Sequence, residues 1–204
     1  TRLSRVYDRR AIRAGAMRIK EWDYYCITSG SRVLALTIAD NSYMGLDSIS
    51  LLDVEAGWQH TRSIMRAFPM GKTGLPSTSA RGDVCVSGKD YFLRFQNDGR
   101  VRVLDAQMGS FRPGKTLRAH LVLTDEPEDS MVIATPFAGK PRHFYYNQKI
   151  NCLSAEGEVV FDGQVYPFRK EDSMAVLDWG RGVWTYRNTW YWSSLSARID
   201  GVPF

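Results

Sequence analysis

The sequence predicts an all-β protein, an antiparallel β-barrel or barrel-like sandwich, and three observations carry that prediction. Runs rich in Val, Ile, Tyr, Phe and Trp recur along the chain, parted by turn residues at intervals of roughly eight to twelve positions. Several runs alternate large apolar with small or polar side chains, as strands do when they wall an interior, which favours the barrel. No long stretch keeps a helical apolar period; the best helical candidates are residues 9–19 and a short turn near 170–173.

In order, residues 18–28 (RIKEWDYYCIT) read as a strand that Ser29-Gly30 turns into a second, 32–39 (RVLALTIA), whose Leu34, Leu36 and Ile38 face the core. Trp22, Tyr24 and Cys26 share one face of the first strand and read as packing, opposite Asp23 and Tyr25. Asp40-Asn41-Ser42 breaks the chain before a strand over about 43–53, and Glu55-Ala56-Gly57 turns it into 58–68. Asp40, Asp47 and Asp53 read as turn formers or rim acids. Residues 69–81, with Pro69, Gly71, Gly74 and Pro76 among Ser and Thr, form a long loop. Its Gly71-Lys72-Thr73 lacks the upstream glycine of a nucleotide-binding loop, because position 66 is Arg.

The clearest hairpin pairs 91–96 with a strand from residue 100 through Asn97-Asp98-Gly99, placing Arg100 and Arg102 on a wet face. Strands at 117–124 and 131–135 flank an acidic turn at 125–129. Residues 143–153 form a strand, Ala155-Glu156-Gly157 turns it into 158–161, and Asp162-Gly163 makes another hairpin. Two closing strands, 174–179 and 190–199, have Gly180 and Gly182 between them.

Composition narrows the function classes. With 44% apolar and 24% charged residues the chain folds rather than staying disordered. Its charge of +5 arises from interspersed signs, so no nucleic-acid partner is expected; the basic cluster Arg2, Arg5, Arg9, Arg10, Arg13, Arg18 and Lys20 reads as a solvated extension. No run approaches the roughly 20 apolar residues of a membrane helix, so no integral membrane segment is expected and the chain reads as soluble and cytoplasmic. Cys26, Cys85 and Cys152 read as buried small hydrophobes in a reducing compartment. His60, His120 and His143 share no ligand spacing, and neither metal nor cofactor is expected.

Chemistry concentrates near the end of the sequence. Four of the six tryptophans lie within residues 176–192, beside Asp178-Trp179-Gly180-Arg181-Gly182. Alternation puts Asp178 and Gly180 on one strand face and Trp179 and Arg181 on the other, so an Asp178–Arg181 pair would need the glycines to break the strand. Asp178 and Arg181 either brace a β-corner or stand at a cavity mouth. Tyr145 and Asn147 share a face with His143, a second polar row able to orient a ligand. The candidate catalytic residues are Asp178 and Tyr146; the candidate ligand-binding residues are Asn147, Trp179, Arg181, Trp184, Trp192 and His143.

These motifs resemble an uncharacterised, mainly bacterial family known only as a domain of unknown function. The resemblance rests on Trp22-Asp23-Tyr24-Tyr25-Cys26-Ile27-Thr28, on Leu36-Thr37-Ile38-Ala39-Asp40 with Tyr43 and Gly45, and on Phe144-Tyr145-Tyr146-Asn147 with Asn151-Cys152 and Gly157. It ends in Asp178-Trp179-Gly180-Arg181-Gly182 with Trp190 and Trp192, spanning about 170 residues in order. The family is distantly similar to the lipocalin-like superfamily of carotenoid and isoflavonoid hydratases. That implies lipocalin-like barrels in tandem, with an N-terminal extension at 1–17, a barrel-like domain at 18–170, and a domain junction with the start of a second β domain at 171–204.

The function expected is binding of an apolar or amphipathic, lipid- or isoprenoid-like small molecule inside a barrel cavity. One alternative is a cofactor-independent hydratase or isomerase in which Asp178 moves a proton and Tyr146 or Asn147 orients the substrate. The other is a structural or protein-interaction module whose tryptophans fix a domain junction.

Overall fold

A computed structural model describes residues 6–203 of the chain; Arg2 and Arg5 lie outside them. Two single 3-10 turns, Arg9–Ala11 and Ala16–Arg18, stand where the longer helical candidate was expected. Then β1 (Ile19–Ser29), β2 (Arg32–Asp40), β3 (Met44–Asp53) and β4 (Trp58–Ala67) form one antiparallel meander. A second comprises β5 (Val84–Gly88), β6 (Tyr91–Asn97), β7 (Arg102–Arg112) and β8 (Lys115–Thr124). β9 (Met131–Phe137), β10 (Lys140–Phe161), β11 (Gln164–Phe168) and β12 (Ser173–Val183) follow, and β12 lies between β1 and β10, fusing both meanders into one sheet. β13 (Arg198–Ile199) and β14 (Val202–Pro203) make a small separate hairpin.

The sheet runs β4-β3-β2-β1-β12-β10-β8-β7-β6-β5, with β9 and β11 also paired to β10. It is a curled, open half-barrel. Strands far apart in the order meet across its concave side: the His60 Nε2–H donates to the Phe111 carbonyl at 2.6 Å, and Tyr25 meets Phe95 edge-on at 5.0 Å. β1 shows the logic, with Ile19, Glu21, Asp23, Tyr25 and Ile27 buried and the intervening side chains half-buried or exposed. Leu34, Leu36, Ile38, Ile49 and Leu51 fill the concave face at 0–1% exposure, each such burial contributing about 1.5–3 kcal/mol. All eleven residues of β12 are buried, because both of its faces are covered.

Several expectations are corrected. β10 does not turn at Ala155-Glu156-Gly157 but runs on as one 22-residue strand, bulged where Cys152 takes φ 59°. Gly157 is there to let β8 approach, since a Cβ at 157 would stand 2.1 Å from the His120 carbonyl oxygen. β12 passes unbroken through Gly180 and Gly182, whereas residues 190–197 form no strand. Arg102 is buried, not wet: it donates to the Ser79 carbonyl at 2.9 Å and pairs with Glu126 at 2.5 Å. Asp40 and Asp47 are buried rather than rim acids. Asp40 accepts from the Gly71 amide and the Thr73 hydroxyl, pinning the Gly71-Lys72-Thr73 loop, and Asp47 accepts from Arg66 and Tyr91. Cys85 is exposed on an edge strand, Cys26 and Cys152 are half-buried, and all three are free thiols. The N-terminal extension is partly core, since Tyr7 is buried and its ring meets Trp179 edge-on at 6.4 Å.

Candidate functional site

The registers of β1 and β10 against β12 set three rows across the convex face: Tyr24–Asp178–Lys149, Trp22–Gly180–Asn147 and Lys20–Gly182–Tyr145. Gly180 makes room for the indole of Trp22, which a Cβ would meet at 2.2 Å. Gly182, at φ 153°, lets the Phe144 carbonyl approach to what would be 2.3 Å from its Cβ. Beyond β12 the irregular segment 184–195 folds back over these rows. Its Trp184 packs on Trp22 at 5.1 Å and on Tyr145 at 5.4 Å, and Trp190 lies 4.7 Å from Tyr145, between ring centroids. Trp22 and Tyr145 stack at 25°, Trp184 and Trp190 are tilted against them, and together the rings line a pocket of about 820 Å³.

A buried polar cluster forms the floor. Asp178 Oδ1 accepts from Trp22 Nε1 at 3.2 Å and from Asn147 Nδ2, while its Oδ2 accepts from Lys149 Nζ. Asn147 Nδ2 also donates to the Trp179 carbonyl at 2.8 Å; two acceptors on that side fix the amide orientation and leave Oδ1 without a hydrogen bond. Lys149 Nζ stands 5.3 Å over the ring of Trp192, where a cation is attracted by the π face. Burial pushes the phenols of Tyr24 and Tyr145 above their ordinary range, so both remain neutral donors at physiological pH. A second pocket of about 740 Å³ adjoins the first through Met131, Lys149 and Ser193, and Asn151 and Cys152 line it.

The model of a family described as a domain of unknown function (DUF2804) matches residues 1–204. The chain belongs to that family. No curated protein matches it in sequence. Among solved structures, this DUF2804 chain is similar to an AttH candidate from Nitrosomonas europaea, with 14% identity, a TM-score of 0.53 and coverage of 83% of this chain and 52% of that one. Kievitone hydratase from Nectria haematococca aligns with 14% identity and a TM-score of 0.43 over 88% of this chain and 55% of that one. The chain therefore spans about half the length of the solved structures it resembles. The first likeness is one of fold alone: the half-barrel resembles about half of that AttH candidate.

The expected site residues of this DUF2804 chain divide between the two faces. Asp178 and Asn147 meet on the floor, and Trp184 and Trp192 line the pocket. His143 is half-buried near Arg18 and Lys140, away from the lining, and burial and those cations hold its imidazole below the usual histidine range. Tyr146, Trp179 and Arg181 point to the concave side. There Arg181, fully buried, donates to the carbonyls of Trp22 (2.6 Å), Gly180 (2.8 Å) and Pro76 (2.7 Å), pairs with Asp23 at 2.9 Å and stacks on Trp179 at 4.2 Å. Its guanidinium thus ties the 69–81 loop to the sheet, and Asp178 pairs with Lys149 instead. Arg9 pairs with Glu21 beside this cluster at 2.5 Å. Burial raises the carboxyls of Glu21 and Asp23 above their ordinary range despite Arg9 and Arg181. Lys149 carried no signal in the linear sequence, and Lys20, read there as part of a solvated basic extension, is instead half-buried in β1; the strand registers bring both to the pocket. No helix among the described residues is long and apolar enough to cross a membrane, and none of their His, Cys, Asp or Glu side chains form a group of three or more able to hold a metal.

Proposed function

We propose that this protein binds an apolar or amphipathic small molecule in the aromatic pocket on the convex face of the sheet, not inside the half-barrel. The observation that carries the reading is a pocket walled by Trp22, Tyr145, Trp184 and Trp190 over an Asp178–Lys149 floor that Asn147 braces from beneath. Mostly apolar walls with a few convergent polar groups are the usual make-up of small-molecule sites. The concave face, by contrast, is filled by packed Leu, Ile and Phe side chains.

Protein purified from its own host is expected to carry a small molecule in native mass spectrometry, and Trp184→Ala is expected to lose it. Preparations that hold nothing, with tryptophan emission unmoved by lipid- and isoprenoid-like probes, would sink the reading. A second reading, a cofactor-independent hydratase or isomerase, is favoured by one feature: an acid and an ammonium meet at the pocket floor, with the Asn147 amide buried beneath them and donating to the acid. It requires the reacting atom within about 3 Å of Asp178 or of one intervening water. Tyr146 drops out of that chemistry because it faces the concave side, leaving Asp178 with Asn147 and Lys149.

A further inference from the structure

The pocket is electrostatically lopsided. Its floor row holds Asp178 against Lys149, which neutralise each other, whereas the row at its other end holds Lys20. Lys20 is half-buried, lines the pocket, and has no ion pair or hydrogen bond among the described residues. Arg18 stands at the same end; its guanidinium lies 3.7 Å over the Tyr186 ring and donates to the Trp184 carbonyl, and among the described residues it has no carboxylate partner. Along β12, Gly182 is four residues from Asp178, or roughly 13 Å at strand rise, and the rings of Trp22, Trp184 and Tyr145 occupy the interval.

Resting on the pocket reading above, we propose that the ligand is an amphipathic anion. Its apolar body lies along the rings, and its anionic head, such as a carboxylate, pairs with Lys20. The uncharged end meets the Asp178–Lys149 floor. A partly exposed ion pair of this kind is worth up to about 1 kcal/mol, about fivefold in affinity, and weakens with salt.

Dodecanoate and its methyl ester, titrated against the full chain by tryptophan fluorescence at low salt, test this directly. Expected is about fivefold tighter binding of the acid than of the ester, a ratio reduced at high salt and lost in Lys20→Met. Equal affinity for acid and ester in the unmodified protein overturns the anionic ligand yet leaves the pocket reading standing. An acid preference that survives in Lys20→Met overturns the role given to Lys20. No response to either probe, with Trp184→Ala behaving like the parent, overturns the pocket reading and this inference with it.

Discussion

At the residue scale, Gly180 shows how one missing side chain shapes the site. Its backbone is an ordinary strand residue, yet a Cβ there would overlap the Trp22 indole at 2.2 Å, so the glycine serves the pocket rather than a turn. Gly180→Ala is expected to push Trp22 out of its place, costing about 1–3 kcal/mol and weakening ligand binding. Urea denaturation read beside tryptophan emission checks both; an unchanged emission spectrum would show that Trp22 does not depend on this glycine. Alternation along residues 178–181 already separates Asp178 from Arg181, and the structure keeps them on opposite faces. What those positions do not reveal is the partner of each, because Lys149 and Asp23 arrive from other strands.

At the element scale, β10 is the strand that sequence reading divides and the structure keeps whole. Ala155-Glu156-Gly157 has the composition of a turn, but Gly157 sits where β8 presses its backbone against β10. The left-handed conformation (φ 141°) and the 2.1 Å approach to the His120 carbonyl oxygen leave no neighbouring side chain that could give way. Gly157→Ala is therefore expected to destabilise by about 3 kcal/mol, seen as a lower denaturation midpoint; a shift under about 0.5 kcal/mol would count against it. β12 is legible as a strand from its apolar run, yet its full burial depends on the 184–195 segment, whose residues from 190 on read as a closing strand and form none. The hairpins at Asn97-Asp98-Gly99 and Asp162-Gly163 are legible because turn chemistry there is local.

For the whole molecule, the charged cluster beneath the N-terminal segment links stability to pH. Glu21 and Asp23 have carboxyl groups raised above their unfolded values by burial. Folding then favours their protonated forms, so their contribution is fully present below the unfolded range near 4 and is lost as pH rises through the folded values. The denaturation midpoint is expected to fall with pH just above that range, and Glu21→Gln to flatten the fall. A midpoint rising across the same window in both proteins would contradict the assignment. The same cluster explains why the N-terminal basic residues are not simply solvated, since Arg9 reaches Glu21 and Ser42 on the sheet.

Sequence by itself determined the all-β class, the order of most strands, the core face of β2 and the separation of Asp178 from Arg181. Each of these follows from local rules, a two-residue period and turn-forming residues, that act within a few positions. Only the tertiary structure decided that the sheet is an open half-barrel with its concave face filled, and that the aromatic pocket lies on the other side. It alone decided that Lys149 and Lys20 belong to that pocket. The reason is register: β12 pairs with strands more than a hundred residues apart in sequence, and no local pattern specifies which of their side chains will share a row.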